Sequence, residues 1–169
     1  MKILYAFCAI TAMTLIPAFG SGSGSAGSSG QPVFKQESPA VTAYNEGIDL
    51  MRSRQFAQAQ LKFEQAVRQD PGFAEAHNNL AFTLRKQGPA NFQKSLEHYN
   101  KAIQLKPKLA EAYMYRGVLY TQMGRKAEAA ADLAALRKMN PHLAQELDAF
   151  MKTGKEDDEL YGATKKLKS

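Results

Sequence analysis

Three prolines, Pro71, Pro107 and Pro141, each close a segment that carries the same residue types in the same places. Counting back from Pro71, the chain places Gly47, Ala59, Phe63 and Ala66. From Pro107 it places Ala81, Ser95, Tyr99 and Ala102, and from Pro141 it places Gly117, Ala129, Leu133 and Leu136. Each series has a small residue, a second small residue and a large apolar one before the proline. The steps between prolines are 36 and 34 residues, and the longer one is accounted for by a two-residue insertion, Pro89-Ala90 after Gly88. Self-similarity at this period means stacked supersecondary units, none of which buries its apolar face alone.

The units read as helical. Ala, Leu, Gln, Glu, Lys and Arg dominate, Gly and Pro fall between the apolar-periodic segments, and no alternating β-branched run suggests a strand. Helices are expected near 40–53, 56–69, 74–87, 92–105, 110–123 and 126–139. Each proline stands where one unit stops, because proline cannot continue the helix that precedes it. A seventh segment, 142–152, carries Leu143, Leu147, Phe150 and Met151 on one stripe and is expected to cover the apolar end of the stack.

This pattern resembles the tetratricopeptide repeat family, whose helix-turn-helix unit of about 34 residues carries Leu-Gly, a Tyr, Ala-x3-Phe and a closing Pro. The resemblance implies an all-α fold, a right-handed α-solenoid of three such units (40–73, 74–109 and 110–141) with a C-terminal capping helix. The family's frequent Trp is absent, Ala43, His77 and Tyr113 standing in its place, and Glu46 and Arg116 occupy positions that are often apolar.

Each first helix of a unit carries two stripes. His77, Leu80, Ala81 and Leu84 recur at helical spacing and suit packing on the following helix, as do Ala43, Glu46, Gly47 and Leu50 in the first unit and Tyr113, Arg116, Gly117 and Tyr120 in the third. Gly47, Ala81 and Gly117 are then small because paired helices cross closely there. The other stripes are Tyr44, Asn45, Ile48, Met51 and Arg52; Asn78, Asn79, Phe82, Arg85 and Lys86; and Met114, Tyr115, Val118 and Gln122. By resemblance they line a concave groove that receives a peptide. The aromatics offer rigid contact area, the asparagines pair with a peptide backbone in both directions, and Arg52, Arg85 and Lys86 favour acidic character. The competing reading buries the aromatics against their own neighbours or the flanking linker. Relatives that clamp the terminal carboxylates of chaperone tails use Lys, Asn, Asn, Lys and Arg at places that fall here on Tyr44, Ile48, Asn79, Glu111 and Tyr115. Only Asn79 matches.

The flanks have another chemistry. Lys2, an apolar run from Ile3 to Ile16, Pro17, and small residues at Ala18 and Gly20 have the layout of a secretory signal cleaved near Gly20, with an uncleaved anchor or a buried N-terminal helix as competing readings. Export, to a periplasm or to the medium, follows from that reading. Residues 21–39 are rich in Gly, Ser and Pro and read as a flexible linker, and an engineered linker would look the same. The tail, 153–169, mixes charges with little apolar content and reads as disordered.

Catalytic chemistry finds little support. Cys8, the single cysteine, lies in the signal, which leaves no thiol nucleophile and no disulfide in the mature chain. His77, His98 and His142 lie far apart in sequence, without a His or carboxylate at metal-type spacing, and no phosphate loop or Ser-nucleophile motif occurs. No metal or cofactor is therefore expected. The formal charge of +6 is modest, and its basic residues are interleaved with acidic ones, which argues against nucleic acid as partner. The terminal lysines offer a weak contact to an anionic membrane surface. A non-enzymatic module binding a protein or peptide partner, in the assembly of an envelope or secretion complex, is the expected function. The alternatives are a self-associating structural module, that is a homo-oligomer, and a membrane-surface accessory protein.

Overall fold

A computed structural model describes residues 37–155. The expected signal, all but the last residues of the linker, and the tail from 156 lie outside the described residues. Among the described residues seven α-helices follow in order: α1 (Pro39–Arg52), α2 (Phe56–Gln69), α3 (Ala74–Lys86), α4 (Phe92–Leu105), α5 (Ala110–Gln122), α6 (Lys126–Met139) and α7 (Pro141–Thr153). Their bounds fall within one residue of those read from the sequence. Pro89–Asn91 forms a short 3-10 turn ahead of α4, so the two-residue insertion is absorbed in the turn between paired helices. None of the described helices is long and apolar enough to cross a membrane.

The first and last helices, α1 and α7, are capped at their starts by side chains, whereas α2 to α6 have no side-chain cap there. Ser38 accepts from the Val41 amide at 3.3 Å with Pro39 opening α1, so the last linker residues belong to the helix start. Asn140 accepts from the Leu143 amide at 3.2 Å ahead of Pro141. Both are the usual solution for orphan amides at a helix start, with proline at the position where its missing N–H costs nothing. Gly154 ends α7 in the left-handed region at φ 68°. Between units, Asp70 accepts from the Gly72 amide at 2.9 Å and holds the turn around Pro71.

Every helix packs on the next in sequence, and α3 on α5 and α5 on α7 join successive units. All signature positions lie inside: Ala59, Phe63, Ala66, Ser95, Tyr99, Ala102, Ala129 and Leu136 are fully inaccessible, and Leu133 nearly so. The small residues are required by close approach, though by two different partners. A Cβ on Gly47 would stand 2.7 Å from the Phe63 ring of the paired helix, whereas one on Gly117 would stand 2.5 Å from Leu147 of α7. The third unit's close crossing is therefore with the cap rather than with its own second helix. In the second unit the Ser95 hydroxyl donates to the Ala81 carbonyl at 2.7 Å, a bond that requires the two helices to lie in near contact.

The two charged residues on the packing stripes are paired across the same interface. Glu46 meets Lys62 at 2.5 Å. Arg116 grips the buried Asp132 with two hydrogen bonds, at 2.6 and 3.0 Å, and donates a third to Asn100 at 2.7 Å. Its guanidinium also lies over the rings of Tyr113 and Tyr120, so its stem and head are both engaged.

Gly47→Ala is expected to lower stability by about 1–2 kcal/mol in urea titration, because overpacking against an immobile ring outweighs the gain in helix propensity. An unchanged or raised midpoint would show that α1 and α2 separate freely at this crossing.

Candidate functional site

The stripes that face away from the paired helix meet across α1, α3 and α5. Asn79 Nδ2 donates to the Tyr44 hydroxyl at 3.1 Å, and Asn78 Nδ2 donates to Asn79 Oδ1 at 3.1 Å, forming a relay of polar groups from α3 to α1. Phe82 meets Tyr115 of α5 edge to face at 5.1 Å and Phe56 of α2 at 6.2 Å. The Arg85 guanidinium lies 5.2 Å from the centre of the Phe82 ring and 6.0 Å from that of Tyr115, and its Nη1 reaches Gln122 at 3.4 Å. Lys86 Nζ lies 5.9 Å from the Phe82 ring centre. These contacts form two groups, one joining α1 to α3 through Tyr44, Asn79 and Asn78 and one joining α3 to α5 through Phe82, Arg85, Tyr115 and Gln122.

Access to that set differs from the open stripe expected from the sequence. Tyr44, Ile48, Asn78, Asn79, Phe82, Arg85, Met114, Tyr115 and Val118 are all buried. Asn45 is half-buried, and Arg52, Lys86 and Gln122 are exposed. Helix α3 is buried along its length except at Glu75 and Lys86. The aromatic contacts are those of the competing reading: Tyr44 lies against Phe63 and Phe73, and Phe82 against Phe56 and Tyr115. Arg52, Arg85 and Lys86 stand in the last turns of α1 and α3, where the helix dipole favours cations whatever else they do.

Two features of the buried polar groups matter chemically. Burial raises the Tyr44 phenol far above its ordinary value, with the Glu75 carboxylate adding to the effect, so it stays protonated and its oxygen serves Asn79 as acceptor. Asn78 Oδ1 is inaccessible and accepts no hydrogen bond, in a residue 3% exposed. A buried amide oxygen left so costs free energy until a donor reaches it.

The histidines depart from expectation in two ways. His77 and His98, 21 residues apart in sequence, meet with their Nδ1 atoms 3.0 Å apart. His142 has Glu146 one turn on, its Nδ1 2.7 Å from the carboxylate, a spacing the sequence reading passed over. Among the described residues, no three side chains of His, Cys, Asp or Glu converge as a metal site would require.

Comparison with known proteins gives two family-model matches: the TPR repeat over residues 91–124 and the tetratricopeptide repeat over 62–97. Each spans parts of two adjacent units. The chain is 35% identical over 83 residues, 49% of its length, to human Tetratricopeptide repeat protein 6. It is 28% identical over 102 residues, 60% of its length, to the Hsp70-Hsp90 organizing protein of Triticum aestivum. It spans 16% and 17% of the length of these two relatives. Among solved structures, the TPR2B domain of yeast Sti1 in its pHsp70 complex superposes with a TM-score of 0.62 at 23% identity, over 68% of this chain and 94% of that one.

Tyr44→Phe removes the oxygen that Asn79 donates to while keeping both ring contacts. The expected loss is about 1–2 kcal/mol in urea titration with an unchanged slope. No loss would mean that the relay contributes nothing to holding α1 on α3.

Proposed function

This chain is a tetratricopeptide repeat protein, and we propose that it is a non-enzymatic interaction module that binds a protein or peptide segment across α1, α3 and α5. The observation that carries the reading is the Asn78 oxygen, buried and without a donor, at the end of the relay through Asn79 to Tyr44. Its Nδ2 is given to Asn79, so the oxygen, closed to solvent in the unliganded chain, is the group that a backbone N–H of a bound segment would pair with once the side chains over it part. Arg52, Arg85 and Lys86 give the ligand a reason to carry acidic residues.

The names of the relatives support the class of ligand: one organizes Hsp70 and Hsp90, and one structure is a complex with pHsp70. They do not extend to a clamp for chaperone tails, because Tyr44, Ile48, Glu111 and Tyr115 replace four of its five residues and Asn79 is bonded to Tyr44. Given the export signal expected from the layout of residues 1–20, we infer that the module serves assembly in an envelope or secretion complex. Self-association by end-to-end stacking is less well supported. The outer side of α7 exposes His142, Gln145, Ala149 and Lys152, which leaves little apolar surface for another copy.

Peptides selected from a displayed random library on the immobilised chain should be rich in acidic and apolar residues. Asn78→Ala and Lys86→Glu should each weaken their binding roughly tenfold in calorimetry, with helix content unchanged by circular dichroism. Equal binding by both variants overturns the site. Failure to select any peptide, together with a sedimentation coefficient that rises with concentration, favours self-association instead.

A further inference from the structure

We propose that His77 and His98 form an acid-sensitive latch between α3 and α4, closed while the pair shares one ring proton between its facing nitrogens and opened when a second proton enters that gap. The inference starts from the hydrogen-bond inventory. His77 Nε2 lies 3.2 Å from the carbonyl oxygen of Pro71. A carbonyl only accepts, so Nε2 carries the proton and the neutral ring presents a bare lone pair at Nδ1. That lone pair faces His98 Nδ1 at 3.0 Å, so His98 is the donor. Both tautomers are fixed by one carbonyl.

The gap fits a proton and not a metal ion. With nitrogens 3.0 Å apart and ring centres 5.3 Å apart at 29°, the rings meet nearly edge to edge, lone pair along N–H. A metal on that line would need its two nitrogens roughly 4 Å apart, at about 2.0–2.1 Å per bond. A first added proton has a place on His98 Nε2 that disturbs neither bond. A second must go to His77 Nδ1, where it destroys the N–H···N bond and sets two imidazolium N–H groups head to head.

The repeat pattern shows why this pair differs from its counterparts. His98 occupies the place in its unit that Lys62 and Asp132 occupy in theirs, and in those units the residue is an ion-pair partner of the first helix, through Glu46 and Arg116. In the second unit the position matching Glu46 and Arg116 is Leu80, which is buried. Only the middle unit therefore joins its two helices at this level through groups that are neutral at ordinary pH and become charged in mild acid.

The surroundings do not neutralise the added charge. Asp70 in the α2–α3 turn and Lys101 of α4 face His77. Glu97 and Lys94 of α4 and Glu64 of α2 face His98. Acid and base nearly balance, which leaves burial as the largest influence, and it holds both rings below the ordinary histidine value. The folded protein thus binds fewer protons than the unfolded chain as pH falls through the usual histidine range, so stability is full above that range and declines below it. The α3–α4 pair is the middle of the stack, and the Pro71 carbonyl ties it to the first unit, so opening it loosens both neighbours.

The test is thermal unfolding of the whole chain at pH 7.5 and pH 5.0, for the wild type, His98→Asn and His142→Gln. Asparagine places an N–H near the position of the histidine Nδ1 but cannot take a proton. The wild type and His142→Gln should lose about 5 °C more than His98→Asn on acidification. An equal loss in all three overturns the latch. Should His98→Asn fail to fold, nitrogen-detected imidazole spectra of the wild type decide, since the chain has three histidines. Two well-separated steps for the pair support the latch, and a single coincident step at the ordinary histidine value overturns it.

Discussion

The near contact between the paired helices of the first two units, and between α5 and the cap α7 in the third, is the constraint on which the rest of the structure depends. In the first unit it is set by Gly47 under the Phe63 ring, where even a methyl group has no room. In the second it is set by Ala81, whose carbonyl takes the Ser95 hydroxyl at 2.7 Å. In the third unit Gly117 lies under Leu147 of the cap, and α5 is joined to α6 by the longer reach of Arg116, which holds Asp132 with two bonds. The crossing also turns the opposite stripe of each first helix toward the neighbouring unit. Tyr44, Asn79, Phe82 and Tyr115 consequently meet one another rather than solvent alone.

That dependence explains how much could be read from the chain. Phe63, Tyr99 and Ala66 announce themselves because spacing along a helix and burial on its inner side are both local properties. The solvent exposure of Asn78, Phe82 or Met114 is not local. It depends on how tightly α1 and α5 lie beside α3, and periodicity carries no information about neighbours that are a unit away. A single inward stripe suits a helix at the edge of a stack, whereas α3, in the middle, is buried on nearly every side. The exposed residues of the set, Arg52, Lys86 and Gln122, lie at or near the ends of their helices, where the packing of a neighbour gives out.

The His77–His98 contact was hidden for a related reason. Each residue taken alone looks like an ordinary histidine of an amphipathic helix, and motif spacing along the chain does not join them. Aligning the units by their prolines does, since it places His98 on Lys62 and Asp132. The signal was therefore in the sequence, in the comparison of one unit with the next rather than in any unit by itself. Repeats that share a backbone geometry reveal function where they stop sharing side-chain chemistry.

The candidate binding groups and the latch occupy the same helix, and this has a physical consequence. His77 and Asn78 are adjacent on α3, one turned to α4 and the other joined to α1 through Asn79 and Tyr44. An α-helix transmits rotation along its length because its backbone bonds hold each turn to the next. If α3 turns when the histidines repel, Asn78 and Phe82 must turn with it, away from the partners that position them on α1 and α5. Proton uptake on one side of α3 and ligand contact on the other are then coupled through a rigid body, with no separate signalling path required. Linkage makes the coupling reciprocal: a ligand seated on Asn78 that holds α3 in place also holds the histidine pair in its neutral form.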